Sequence, residues 1–222
     1  MSNHSPLPFA EAPLGCRQCP RLVKLRKSLS KEHPSWWNAP VPAFGDPDAW
    51  LAIVGLAPGK EGANRTGRPF TGDASGETLF ATLSKFGFLK GQFQNHPEDG
   101  ATLEGAIILN AVKCLPPQNK PSGLEIGNCR KYLNKPLSAL PNLKVILALG
   151  KIAHDSLIRM EGLRLADYKF AHGSKHIFPN ESILIDSYHC SRYNMNTKRL
   201  TVQMFEDIFQ QAAVIRSTDV QP

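Results

Sequence analysis

Asn110 lies near the end of the apolar run AIILNAV, where a buried amide is costly unless it is paired. Its side chain offers a donor and an acceptor side by side, which suits the edge of a flat ring bearing an N–H between carbonyls, or else an internal hydrogen bond. His189 opens HCSRYN, and an imidazole there can donate to an oxygen that gains negative charge as a leaving group departs. Ser191 in the same segment can bind a phosphate, and Arg192 and Tyr193 can enter a base stack or grip a nucleic-acid backbone. Each of these also reads, alone, as solvated surface. Between residues 55 and 73 runs GLAPG followed by GANRTGRPFTGD, with glycines at 55, 59, 62, 67 and 72. Such a run lets backbone approach a ligand and expose its N–H groups, yet it matches neither GxxxxGK[ST] nor GxGxxG. Within it Phe70 can stack on a flat ring or fill the core, and Asp73 stands where a helix N-cap is expected.

The five cysteines are a second source of chemistry. Nothing at the start of the chain reads as a secretory signal, so a disulfide framework is not expected and ligation of a metal or cluster leads. Cys16 and Cys19 form CxxC, Cys114 and Cys129 lie far downstream, and Cys190 stands alone beside His189. A four-thiolate zinc site, a [4Fe–4S] site and accident all fit this spacing.

The elements that must position these residues follow from hydrophobic period. Short apolar runs at 50–54, 106–112, 145–149 and 183–186 read as buried strands. Amphipathic segments at 20–30, 74–88, 124–137, 151–158 and 200–214 read as helices. Residues 1–15 read as a loose arm, and the proline-rich stretch 33–48 as loop. Strands alternating with helices predict one α/β domain over residues 1–222, three layers αβα around a mainly parallel four-stranded sheet. In such sheets ligands bind beyond the carboxyl ends of the strands, and GLAPG, KCLPP and YHCSRYN each follow a strand.

Composition sets bounds. With 41% hydrophobic and 20% charged residues the chain is expected to bury a real core, and no apolar run is long enough to span a bilayer. A cytoplasmic monomer is expected. The formal net charge of +7 suits an anionic partner such as DNA, though many basic proteins bind none.

Taken together, CxxC, GLAPG with NRTGRPFTGD, ILNAVKCLPP, the distant Cys129 and HCSRYNMNTKRLT resemble the uracil-DNA glycosylase superfamily, most closely its family 5, over most of residues 16–201. The resemblance implies a monofunctional base-excision enzyme that flips uracil, with hypoxanthine and xanthine as further substrates. It implies a [4Fe–4S] cluster on Cys16, Cys19, Cys114 and Cys129, leaving out Cys190. It assigns catalysis to Asp73 and His189, the base pocket to Gly55, Ala57, Gly59, Phe70 and Asn110, and DNA contacts to Arg65, Ser191, Arg192, Tyr193 and Asn194. Basic residues such as Arg17, Arg21 and Lys24 are expected against phosphates. Family 4, the nearest rival, has a glutamate where this chain has Leu56; Gly59 departs from the alanine frequent in family 5. A non-catalytic cluster- or zinc-bearing DNA-binding module and a small electron-transfer protein are the alternatives from other classes.

Overall fold

The computed structural model describes residues 8–218. In chain order the elements are α1 (Pro20–Glu32), β1 (Phe44–Gly45), β2 (Leu51–Gly55), α2 (Ala63–Thr66), α3 (Ala74–Lys85), β3 (Leu89–Lys90), β4 (Thr102–Leu103) and β5 (Ala106–Asn110). Then come α4 (Gly123–Cys129), α5 (Lys131–Ala139), β6 (Val145–Leu149), α6 (Lys151–Met160), β7 (Lys175–Ile177), β8 (Ile183–Ser187), α7 (Arg192–Asn196) and α8 (Val202–Thr218).

The four expected strands form the centre of the sheet, β5-β2-β6-β8, all parallel. The expectation of four strands falls short by two edges. β1 pairs antiparallel with β5, and β7 antiparallel with β8, making six. These edges are two and three residues long, too short to show a period of two, and β1 sits inside the stretch read as loop. The central strands alternate faces as the pleat demands. Leu51, Ile53, Ile108, Leu147 and Ile185 pack toward α3 and α8, while Ala52, Val54, Ile107, Ala148 and Leu184 pack toward α5 and α6. Both faces are therefore covered, which explains why the strands read as unbroken apolar runs.

Two further expectations need amendment. The single helix expected over 124–137 is split at Arg130, whose own backbone stays helical at φ −54°, ψ −37°, so α4 and α5 abut. Of the arm expected over 1–15, residues 1–7 lie outside the described residues. The remainder is tied down: Phe9 packs against the core under α5 and α6, and Glu11 Oε1 accepts a 2.8 Å bond from the Ala43 amide. Among the described residues no helix is long and apolar enough to cross a membrane.

Candidate active site at the carboxyl edge of the sheet

β2 and β5 end side by side, with Gly55 opposite Asn110. A Cβ on Gly55 would lie 2.7 Å from Asn110 Oδ1 and 2.8 Å from Phe70 Cε2, so the amide and the ring close on one point where only glycine fits. Asn110 keeps 3% exposure; its side chain makes no hydrogen bond among the described residues, and its polar atoms keep contact with solvent. The internal pairing that would make it a core asparagine is thus missing. Phe70 is 7% exposed and held at φ +51°, a left-handed backbone unusual for an aromatic residue. Its carbonyl lies so close to Gly76 that no side chain fits there.

Asp73 divides its two oxygens between two tasks. Oδ1 caps α3, accepting from Ser75 N at 3.0 Å and Gly76 N at 3.1 Å. Oδ2 turns to the glycine loop, where a Cβ on Gly62 would be 2.5 Å away and one on Gly59 3.4 Å. The cap reading of the sequence and an outward-facing carboxylate are therefore both present in one residue.

After β8 the chain brings His189 over the same pocket. Its ring is near-parallel to Phe70, 21° between planes and 5.8 Å between centroids. Burial pushes the imidazole below its ordinary range while the Asp73 carboxylate pulls it back up, so the two groups sense one another and the ring is neutral at pH 7. Ser191 Oγ caps α7 through Asn194 N at 3.3 Å, and Asn194 Nδ2 donates to His189 O at 2.8 Å. Asn194 thus anchors the histidine loop. Arg192 and Tyr193 project into solvent beside it, Tyr193 at 72% exposure.

Asp73, Phe70, Asn110 and His189 therefore meet, with Gly55 and Gly59 as close-approach points. Ala57 does not join them; its methyl packs on the small cluster of Leu22, Val112 and Cys129. Arg65 is exposed, and its Nε is held by Glu61 O at 2.7 Å. Arg21 departs from expectation, because its guanidinium is committed to Glu125 at 2.6 and 2.8 Å and to Lys120 O at 3.0 Å. Arg17 and Lys24 remain exposed.

The four cysteines Cys16, Cys19, Cys114 and Cys129 line one cleft with Leu22, Val112 and Tyr132. Three sulfurs receive donors from the chain: Lys113 N to Cys129 at 3.2 Å, Arg26 Nη1 to Cys114 at 3.5 Å and Asn128 Nδ2 to Cys19 at 3.8 Å. Burial pushes Cys114 up to about 12 against the pull of Arg26, and also raises Cys19 and Cys129. Thiolates gathered in such a place require a cationic centre. Among the described residues no three of these sulfurs come within 4.8 Å of one another. One tetrahedral zinc, with bonds of about 2.3 Å, would hold sulfurs about 3.8 Å apart, closer than any three of them stand here. Cys190 lies elsewhere, buried against α3 and donating to Ser75 O at 3.5 Å.

Sequence reasoning missed the buried Arg68–Asp99 pair, with side chains 2% and 0% exposed. It also missed Lys113, buried with Nζ 3.9 Å from Glu11 Oε2. Only the position of Arg68 inside the glycine-rich run hinted at a role.

The family model for the uracil DNA glycosylase superfamily matches residues 42–213. A Type-5 uracil-DNA glycosylase of Thermus thermophilus is 41% identical over 209 residues, covering 92% of this chain and 95% of that one. Its counterpart in Pyrobaculum aerophilum is 37% identical, covering 92% and 91%. A Type-4 uracil-DNA glycosylase of Pyrobaculum aerophilum is 33% identical over 150 residues, covering 67% and 62%.

Proposed function

Because the chain belongs to the uracil-DNA glycosylase superfamily and groups there with the type-5 enzymes, we propose that it excises uracil from DNA as the first step of base-excision repair. The observation that carries this reading is the convergence of Phe70 and Asn110 on Gly55, with His189 and the free oxygen of Asp73 alongside.

In this reading the damaged nucleotide is flipped from the helix, since its glycosidic bond is out of reach inside the stack. Its base lies on Phe70, and Asn110 satisfies its imide edge. The bond from C1′ to the base nitrogen breaks with both electrons leaving on the base, and positive charge develops on the sugar. Neutral His189 donates an N–H toward the base oxygen that becomes anionic. Asp73 Oδ2 faces the sugar cation and orients the water that adds to C1′, the proton this water loses neutralising the released base anion, while Oδ1 stays fixed by two amides. In this reading no lysine serves as a nucleophile: of the two nearest in sequence to the pocket, Lys60 is paired with Glu32 at 3.8 Å and Lys113 is turned toward Glu11. That supports a monofunctional enzyme.

Tyr193, Arg192, Arg65, Ser191, Arg17 and Lys24 would engage DNA, the exposed Tyr193 and Arg192 beside the histidine loop. Hypoxanthine and xanthine are further substrates in this reading, on the resemblance to family 5 that Leu56 carries where family 4 has an acid. Cys16, Cys19, Cys114 and Cys129 would hold a [4Fe–4S] cluster, which supplies a cross-link between the α1 segment and the loop after β5 rather than redox chemistry in the cut. Five cysteines with no disulfide among them suit a cytoplasmic protein, acting here as a monomer.

Duplex oligonucleotides, each bearing one deaminated base, test the proposal with wild type and Asp73→Asn. Release of free uracil, leaving an alkali-labile site, is expected from wild type and strongly slowed in the variant. Binding without release would mark a non-catalytic module instead.

A further inference from the structure

β3 and β4 form a two-stranded ribbon, and the chain between them, residues 91–101, makes a long excursion. This excursion grips the loop that carries Phe70 and Asp73 at two points and the helix that follows, α3, at a third. Asp99 takes Arg68 in a fork, Oδ1 with Nη1 at 2.8 Å and Oδ2 with Nη2 at 2.7 Å. Asn95 Oδ1 accepts the Gly72 amide, immediately before Asp73. Phe93 stacks on Phe80 of α3 at 3.9 Å, 4° between planes.

The grip is built inward. The Arg68 guanidinium lies 5.1, 5.6 and 5.4 Å from the ring centroids of Phe44, Phe80 and Phe93, and its Nε donates to Thr71 Oγ1 at 2.8 Å. Asp99 accepts two further amides, Gln94 and Ala101, both at 2.9 Å. Thr66 Oγ1 donates to Thr71 O at 3.1 Å. Arg68, Thr71 and Gly72 are thus all fixed around Phe70, whose left-handed backbone needs surrounding structure to hold it.

We propose that residues 91–101 act as a brace, and that Arg68, Asp99 and Asn95 are positioning residues that set Phe70 and Asp73 for excision. The inference rests on the reading of Phe70 and Asp73 given above. None of the three touches the pocket formed by Gly55, Asn110 and His189. An error of about 1 Å in a reacting group costs about 100-fold in rate, so loosening the brace should act on the chemical step.

The test uses the full chain with its cluster loaded. Single-turnover uracil release and affinity for a duplex carrying an abasic site are measured for Asp99→Asn, Arg68→Lys and Asn95→Ala. Circular dichroism selects the temperature at which each is folded. Expected is a fall in rate per folded molecule of about 10- to 100-fold for Asp99→Asn and Arg68→Lys, and less for Asn95→Ala, with abasic-duplex affinity unchanged within about threefold. In a Phe70→Ala, Asp73→Asn background, Asp99→Asn should add little further loss. If Phe70→Ala and Asp73→Asn alone leave the rate intact, the site reading fails. If they slow it and folded Asp99→Asn, Arg68→Lys and Asn95→Ala do not, or if effects multiply independently, the brace is refuted.

Discussion

Replacing Asn110 by leucine separates a residue kept for its ligand from one kept for the fold. The two side chains are nearly isosteric, so the change swaps an amide for two methyl groups without opening a cavity. In the folded protein this amide is 3% exposed and has no hydrogen-bond partner among the described residues. Its polar atoms are not fully buried, so leaving them unpaired costs less than the about 1–3 kcal/mol of a buried polar group. Asn110→Leu should therefore leave stability unchanged or raise it by up to about 1 kcal/mol, which in a chain of this size moves Tm by no more than about 2–4 °C. Uracil release should fall at the same time, by about 100- to 1000-fold if the amide is a preorganised partner of the departing base. The assay pairs thermal denaturation at pH 7 with single-turnover excision from a U·G duplex. A rate lost while stability is kept marks the functional residue. A loss of several kcal/mol of stability, or a rate within about threefold of wild type, would falsify this account of the pocket.

Gly55→Ala should damage the same pocket from behind, because the new Cβ falls 2.7 Å from Asn110 Oδ1 and 2.8 Å from Phe70 Cε2. Overpacking of this kind costs about 1–3 kcal/mol, and loss of excision beyond the loss of folded protein is the measurement that checks it. His189→Ala should slow excision by about 100- to 1000-fold. Since burial lowers the His189 pKa and Asp73 raises it, the acid limb that protonates the imidazole lies below pH 6.5, and Asp73→Asn should move it lower still. A pH–rate profile of residual activity in both proteins reads this directly, and an upward shift would contradict it. A different histidine should govern stability. Buried His154 places Nδ1 2.8 Å from Asp186 Oδ1 and Nε2 2.9 Å from Tyr168 O, two acceptors that call for a proton on each nitrogen. Burial opposes the charge, but Asp186, Tyr168 O and Asp155 outweigh it and the pKa is raised; His176 also faces Asp186, at 3.3 Å. Stability from this group is full below pH 6.5 and is lost as pH climbs through the raised value. Urea denaturation of wild type and His154→Gln should thus differ more at pH 6 than at pH 9, and a constant difference would count against the ion pair.

Much of this was legible in the residues themselves. The four central strands carry their burial in unbroken runs such as VILAL, and the helices carry theirs in a period of 3.6, because both patterns are local records of what each face meets. Asp73 as an N-cap is equally local, a matter of three residues. The resemblance of the motifs supplied what periodicity does not, namely which cysteines share one cleft and which loops share one pocket. Three-dimensional packing decided the rest. The edge strands β1 and β7 exist only because a neighbour offers its hydrogen bonds. Arg21, read as a phosphate ligand, is neutralised by Glu125, 104 positions away. Arg68 meets Asp99 across 31 positions, and Asn194 turns inward to hold the His189 carbonyl. A charge or an amide looks the same in sequence whether it faces DNA or a partner within the fold. Its role is set by which acceptor or donor lies within about 3 Å, and for distant residues that is a property of the folded chain alone.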